Sequence, residues 1–489
     1  MRPYFICYIS VFLLVKLCFI CDIYAQETSI FVSTYLNERN ELIIDRLPKK
    51  YSKLVVDKTC DLAGKCLRLP ASAELCIEQN GLIDNGIIQG RGNSLSVLNI
   101  DKPVIGCKLR ILGEWKNQVV FDSWFCFDKS PSFVSNDIIK NILSLTDGEH
   151  FCHIYFQADR TYYFELPYKG ETNFGDKVSF TMSGNKKKRK WSDLNKNEYS
   201  FLRIFTIPSN THLTIDNRFQ MLPTNQGVYY IFWEYGKQNI TIDGKGCIAG
   251  DAKNHIYNSP IVKGSKYYGE WGYIFCCQAC SNFKFSGITL EYAFGDCISY
   301  TADYSNENIR NRVANDLLID NLKIRYARRN GVTVAATNVI VQNTFFEGCG
   351  TNSIHGTAPK SAIDFEPDEI RQFPEIGNVN VQMRYCRFIN NIHDVSSTFN
   401  NLYDYGKIVT RISNCIFTAP IRLNTTNWIE FSNCVIPDIT NYQNKIANHC
   451  PVRQVLFKQC HIKKCLAYYF YGIGITILKI AKLTKFMND

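Results

Sequence analysis

A short pattern returns along the second half of the chain: Asn or Asp, then apolar residues at alternate positions, then a turn. It reads Asn239-Ile-Thr-Ile-Asp, Asn282-Phe-Lys-Phe-Ser, Asp316-Leu-Leu-Ile-Asp and Asn338-Val-Ile-Val-Gln. It continues as Asn378-Val-Asn-Val-Gln, Ile408-Val-Thr-Arg-Ile, Trp428-Ile-Glu-Phe-Ser and Gln454-Val-Leu-Phe-Lys. Apolar residues at period two mark strands, and their return every roughly 20 to 40 residues marks a repeat architecture. One such strand cannot bury its apolar side alone, so successive copies must stack. The pattern therefore predicts an all-β fold, a parallel β-helix with loops inserted between coils. A propeller would need about four hairpin-linked strands per repeat, and tight hairpin signals are scarce.

The rest of the chain is consistent with this frame. At 489 residues it is too long for one ordinary globule, a limit that a coil in contact only with its neighbours escapes. Residues 26–120 read as a separate β-rich N-terminal unit, with Asp61-Leu-Ala-Gly-Lys65, Leu67-Arg-Leu-Pro70 and Asn85-Gly-Ile-Ile-Gln-Gly90 alternating strands and turns. The β-helix is expected over residues 121–465. Asn136 to Leu145 has helical apolar spacing, with Asn136 as expected N-cap. Such a helix would cover the open end of the first coil. Residues 466–489 form an apolar C-terminal tail or cap.

The N-terminus reads as a signal peptide over residues 1–25. Arg2 gives the positive start, Tyr8 to Val15 the apolar core, and Ile23-Tyr24-Ala25 the cleavage site. Lys16 makes the apolar run too short for a membrane span. The expected location is secreted, periplasmic or cell-surface. A net charge of +10 is concentrated in part in Lys186-Lys-Lys-Arg-Lys190. An exported chain has no nucleic-acid partner, so that run reads as a solvated loop. Of 21 cysteines, Cys386, Cys415, Cys434 and Cys460 share one repeat phase, two residues before Phe or Ile. Equal phase predicts stacked, buried thiols rather than disulfides. Cys277 and Cys280 have metal spacing with no second pair.

Several motifs together resemble the pectin-lyase-like, right-handed parallel β-helix proteins exported by gut Bacteroidetes. They are Trp124-Phe-Cys-Phe127, Tyr162-Tyr-Phe164, Ile207-Pro-Ser-Asn-Thr211, Asn239-Ile-Thr-Ile-Asp-Gly-Lys-Gly246, Gly269-Glu-Trp-Gly272, Gly295-Asp-Cys-Ile298, Arg328-Arg-Asn-Gly-Val332 and Ile363-Asp-Phe-Glu-Pro367. The resemblance covers about residues 55–460 and implies a protein that handles polysaccharide. It does not choose the reaction, because the superfamily contains lyases, hydrolases, epimerases and phage tailspikes. The Asn-Thr-Asp, Asp-Asp, Gly-His-Gly and Arg-Ile-Lys series of polygalacturonases is reduced to Gly295-Asp-Cys297 and Arg411-Ile-Ser413.

The candidate site lies in Ser361-Ala-Ile-Asp-Phe-Glu-Pro-Asp368. Asp364 and Glu366 stand two apart on a strand, on one side and roughly 6.6 Å apart, a spacing suited to acid and base cleavage of a glycosidic bond. Ile298, Val332, Ile363 and Ile392 are taken as one inward row over four coils. The next residues then face outward, and His393 falls one coil from Asp364. Asp296 and Arg329 lie at the turn entering this stack. The expected catalytic residues are Asp364, Glu366, Asp296 and His393. Arg328, Arg329, Glu270 and Trp271 are the expected substrate-binding residues. The leading expectation is a glycoside hydrolase acting on a polysaccharide substrate. The alternatives are a lyase on a uronate polymer, with an Arg or His393 stabilising developing charge, and a non-catalytic glycan-binding β-helix. No cofactor is required; calcium would find hard oxygen ligands at Asp296, Asp364 and Glu366. Monomer and homotrimer are both compatible with the sequence.

Overall fold

Each coil of the chain turns through residues held in the left-handed backbone region, where Asn and Gly cost least. Asn210, Asn239, Asn282, Asp316, Asn338 and Asn380 occupy one corner, with φ between 54° and 57°. Asn321, Asn343, Tyr385, Asn414, Asn433 and Gln459 occupy a second, with φ between 52° and 56°. These corners fold the chain into a parallel β-helix of three sheets.

The structure is a computed structural model. It describes residues 28–98, 102–128, 133–166, 178–182, 185–189, 203–225, 227–257, 271–302, 313–351, 358–366, 380–398, 409–424, 429–441, 455–466, 477–478, 482–483 and 486–487. The expected signal peptide lies outside the described residues, as do Glu270 and much of the 168–200 excursion. Within that excursion Val178–Met182 and Asn185–Arg189 pair antiparallel. No helix among the described residues is long and apolar enough to cross a membrane.

The chain divides into two compact units. The first comprises residues 1–117 and 124–126, the second residues 118–123 and 127–489. The first unit holds a six-stranded sheet. Its strands Lys53–Val56, Glu74–Ile77 and Gly86–Val97 pair in parallel, followed by Leu109–Trp115 on Gly86–Val97.

In the second unit one coil illustrates all. Gln238–Asp243 lies in the first sheet, Cys247–Ala249 in the second and Trp271–Gln278 in the third, after which Ser281–Ser286 returns to the first sheet. The three sheets have 12, 7 and 12 strands. Apolar residues at equal phase fill the interior in columns. Phe346 stacks on Phe388, and Phe388 on Phe417, each pair with ring centroids 4.8 Å apart. Cys386, Cys415, Cys434 and Cys460 form a buried column of free thiols, as their phase predicts. Each thiol donates to the carbonyl two residues before it, at 3.2 to 3.4 Å.

The helix α1 (Asn136–Leu143) takes the place of the third-sheet strand in the first coil, beside Arg203–Phe205. Its buried face is Ile138, Ile139, Ile142 and Leu143. Asn136 is not its N-cap, which is Ser135. The Asn136 side chain instead bridges to the strand alongside, donating to the Glu165 carbonyl at 2.7 Å and accepting from the Glu165 amide at 3.1 Å. A second correction concerns the repeat at 378–382. The corner residue is Asn380 and the strand is Val381–Arg384, two residues later than the Asn378 pattern places it. At the C-terminus, Ile477–Leu478 stacks in parallel on Phe457–Lys458 and extends the first sheet.

The corner side chains form ladders. Asn239 donates its Nδ2 to Asn210 at 2.7 Å, Asn282 to Asn239 at 2.8 Å, Asn338 to Asp316 at 3.0 Å and Asn380 to Asn338 at 2.9 Å. Asp316, a carboxylate, has no N–H with which to continue the ladder to Asn282. Asp316→Asn would supply that donor, and urea unfolding is expected to show a gain of about 0.5–1 kcal/mol. An unchanged or lowered midpoint would count against the ladder as a source of stability.

Candidate functional site

The third sheet carries the candidate site. Its strands Ile298–Thr301, Val332–Ala335, Ser361–Phe365 and His393–Thr398 are neighbours. Ile298 pairs with Val332 and Val332 with Ile363, the register expected from sequence. The fourth coil differs. Ile363 pairs with Val395, not Ile392, and Ser361 with His393. Ser396 is therefore the neighbour of Asp364, and His393 lies three residues away along the strand, about 10 Å. Ile392 is half-exposed and belongs to the turn. The outward row Ser299, Thr333, Asp364 and Ser396 is itself buried.

Asp296 is the anchor of the cluster. One of its oxygens accepts from Arg329 Nη1 at 2.7 Å and from Thr333 Oγ1 at 2.6 Å. The other accepts from the Asn330 amide at 3.0 Å. Asn330 is held in turn, donating to Thr333 at 3.0 Å and accepting from the Ser361 amide at 3.0 Å. Burial pushes the Asp296 carboxyl up to about 6, against the opposing pull of Arg329 and its hydrogen bonds. Arg329 reaches past Asp296 and donates Nη2 to Glu366 at 3.2 Å and Nε to the Ala358 carbonyl at 3.2 Å.

Asp364 is fully buried, and neither of its oxygens receives a hydrogen bond from a donor among the described residues. Burial first, then the Glu366 charge, raise its pKa well above the carboxylate range, with Arg329 opposing. The contact with Glu366 is between two acceptors, so it becomes a hydrogen bond only when one of the two is protonated. Glu366 is the accessible member, with its side chain 29% exposed. Asp296, Arg329, Glu366 and Asp364 thus form one connected group.

The remaining expected residues lie elsewhere. Arg328 is held by Phe294: its Nε donates to the Phe294 carbonyl and its guanidinium lies 4.1 Å from the Phe294 ring centroid. Burial lowers its pKa to about 10. His393 is half-buried, with Nδ1 3.2 Å from the Pro359 carbonyl. Burial, then the Arg422 charge, lowers its pKa. Trp271 opens the strand Trp271–Gln278, in register with Val228, and Glu270 lies outside the described residues. The position proposed for calcium is shared with the Arg329 guanidinium, a fixed cation between Asp296 and Glu366, with which a metal would have to compete.

Sequence reasoning missed Asn330 and the anchoring part played by Thr333; the signal was Asn-Gly-Val-Thr, which places an amide side chain three residues before a hydroxyl. It also missed a buried network around Asp251. Asp251 accepts from the Tyr229 hydroxyl, from His255 Nδ1 at 2.8 Å and from the Thr224 amide at 3.0 Å. The His255 ring stacks on Phe294 at 3.9 Å.

Against known proteins, no family model matches the chain. It is 28% identical over 206 residues to the uncharacterised protein YclG of Bacillus subtilis (strain 168). That match covers 42% of this chain and 34% of the relative, so the chain spans about a third of the curated protein it matches. Among solved structures it is similar to the tailspike gp49 of Acinetobacter baumannii bacteriophage Fri1, described as a capsular polysaccharide depolymerase. That likeness has 12% identity, a TM-score of 0.39 and coverage of 74% of this chain and 58% of the other. It is also similar to the tailspike of E. coli bacteriophage HK620 in complex with a hexasaccharide, at 10% identity, a TM-score of 0.38 and coverage of 71% and 62%. A third is the A-module of the Azotobacter vinelandii mannuronan C-5 epimerase AlgE6, at 11% identity, a TM-score of 0.20 and coverage of 86% of each chain.

The buried carboxylates make stability depend on pH. The folded Asp296 pKa of about 6 lies above its ordinary value near 3.8, so folding takes up a proton between them. This contribution is complete below about pH 4 and is lost as pH rises through about 6, by on the order of 3 kcal/mol. Urea unfolding between pH 4 and 7 should show that fall together with those of the other buried carboxyls, Glu234 and Asp394 among them, and Asp296→Asn should make it shallower by its own share. At pH 7, Arg329→Ala leaves Asp296 buried without its cation and should cost about 3–5 kcal/mol. Adding Asp296→Asn to Arg329→Ala should recover part of that loss. A double variant as unstable as the sum of its parts would mean that the two do not interact.

Proposed function

We propose that the protein is a carbohydrate-active enzyme that hydrolyses glycosidic bonds of a polysaccharide at the Asp296–Arg329–Glu366–Asp364 cluster. The observation that carries this reading is the pairing of a buried, donor-less Asp364 with a partly exposed Glu366. Two carboxylates sharing a site hold one proton between them over a wide pH range, the state required of a general acid.

The proton leaves through Glu366, the member that solvent and substrate reach, and passes to the glycosidic oxygen as the bond from that oxygen to the anomeric carbon breaks. Water adds to the anomeric carbon, and its proton returns to the pair. Three carboxylates against one guanidinium and one shared proton leave the cluster negative, which favours a transition state of oxocarbenium character. Arg329 holds Glu366 in position, and Asp296, Thr333 and Asn330 hold Arg329. Both cations of the arginine–carboxylate chemistry that a lyase would need are already engaged: Arg329 by two carboxylates and Arg328 by Phe294. Hydrolysis is therefore the reading favoured over elimination.

The test is product analysis on a panel of plant and host polysaccharides. New reducing ends without the ultraviolet band of an unsaturated uronate are expected. Glu366→Gln and Asp364→Asn should each lower kcat by about 10²- to 10⁴-fold, with their folds retained by circular dichroism. Wild-type turnover in both variants would remove the assigned roles, and unsaturated products would replace hydrolysis with elimination.

A further inference from the structure

A third corner of the coil lies between the second and third sheets. Register places Glu291, Arg325, Glu347 and Ile389 at equal phase, so the residues that follow them share the corner. These are Tyr292, Tyr326, Gly348 and Asn390, with φ of 54°, 53°, 66° and 53°. Gly348 and Asn390 are the residues that this backbone tolerates best. Two successive tyrosines there are costly, because a bulky side chain with positive φ is uncommon, and such strain concentrates at functional positions.

The two rings stack, with centroids 5.2 Å apart and planes 19° apart. Tyr326 also lies over Gly348, where a Cβ would collide with its ring. At the coil before Tyr292 stands Gly250, where a Cβ would strike the Tyr292 carbonyl at 2.5 Å. A cleft of about 430 Å³ opens beside this glycine, lined by Gly250, Tyr292, Tyr326, Arg218, Lys253 and Arg325 among others. A neighbouring cleft of about 540 Å³ shares Arg218. Both volumes fall in the range of small-molecule sites.

Two cations of this cleft are balanced locally, and a third, Lys253, stands with its ammonium 5.6 Å from the Tyr292 ring centroid. Arg218 pairs with Glu291 at 2.8 Å, and Arg325 with Glu347 at 2.8 Å. Tyr326 donates its hydroxyl to Glu347 at 2.9 Å. An anion gains little from the two arginines, each matched by a carboxylate, and Lys253 shares the lining with the carboxylates of Asp251 and Glu291. A vicinal diol fits better: one hydroxyl accepts from the guanidinium while another donates to the carboxylate beside it. The C–H side of a pyranose ring is matched by the aromatic face of a tyrosine.

We propose that this corner is a second carbohydrate-binding site, which docks a neutral pyranose of a glycan against Tyr292 and Tyr326 and reads its hydroxyls with the Arg218–Glu291 and Arg325–Glu347 pairs. It is separate from the carboxylate cluster on the third sheet and does not depend on the chemistry assigned there.

Affinity electrophoresis tests it, with galactomannan, xyloglucan, arabinoxylan or polygalacturonate in the gel at low and high salt. The full chain should be retarded by at least one neutral polymer, equally at both salt concentrations. Tyr292→Gly and Tyr326→Gly install the residue that the corner prefers. They should keep or raise the thermal midpoint while weakening retardation about fivefold or more. Asp364→Asn should be retarded like the wild type. Absence of retardation by every neutral polymer overturns the proposal. So does retardation by polygalacturonate alone that high salt abolishes, or retardation that survives both glycine variants. A fall in the midpoint of both variants with retardation unchanged would make the tyrosines structural.

Discussion

The constraint on which everything else depends is the left-handed turn repeated at equal phase in successive coils. A coil closes only if the chain changes direction sharply without losing the parallel ladder on either side. Asn meets both needs, since it tolerates positive φ and its side-chain amide can donate to the same residue one coil below. Once these corners are fixed, strand phase is fixed as well, and columns of Phe and Cys follow from it. The ladder bonds are exposed and individually small. Their effect is register rather than bulk stability: a slip of one residue would send every apolar side chain to the wrong side.

Stacking at about 4.8 Å has an electrostatic consequence. Residues at equal or adjacent phase in neighbouring coils must meet, so Asp296 and Asp364, two coils apart along one sheet, come to share surroundings with Glu366. Placed in water such a group would simply repel. Buried, it is resolved by one guanidinium that pairs with Asp296 and Glu366 and by a proton kept on the member with no donor. Asp296 has three hydrogen bonds and settles near 6, whereas Asp364 has none among the described residues and is pushed further. Hydrogen bonding, more than burial, separates these two carboxyls, since both are wholly buried.

The fold was legible because its determinants are local: corner residue and alternating strand lie within six residues of each other. The site was legible only as far as register could be carried. Ile298, Val332 and Ile363 align because Ile298 and Val332 open their strands and Ile363 stands third in Ser361–Phe365, with the pairing unbroken across the three. The next coil fails because its strand opens at His393, opposite Ser361, so that Val395 rather than Ile392 enters the row. Asp394 there accepts from the Thr418 and Ala419 amides, each at 2.7 Å; it serves the turn, and nothing in the spacing announces it. Asp251, His255 and Tyr229 were illegible for a related reason. They meet through an excursion whose length follows no repeat, so no phase relates them.

Corner and strand therefore carry different kinds of information. Where the coil demands a residue, as at Asn282 or Asn338, identity reports on backbone. Where identity opposes the backbone, as at Tyr292 and Tyr326, it reports on something the backbone does not need. The same reasoning applies to burial. Asp364 stands in a row between Thr333 and Ser396, with Ser299 beyond Thr333, small groups that a covered row accepts at low cost. A carboxyl there, without a donor among the described residues, costs far more than these neighbours. A stable coil alone would have no use for it, whereas the proton-holding role proposed for it needs this isolation from water and from hydrogen bonds.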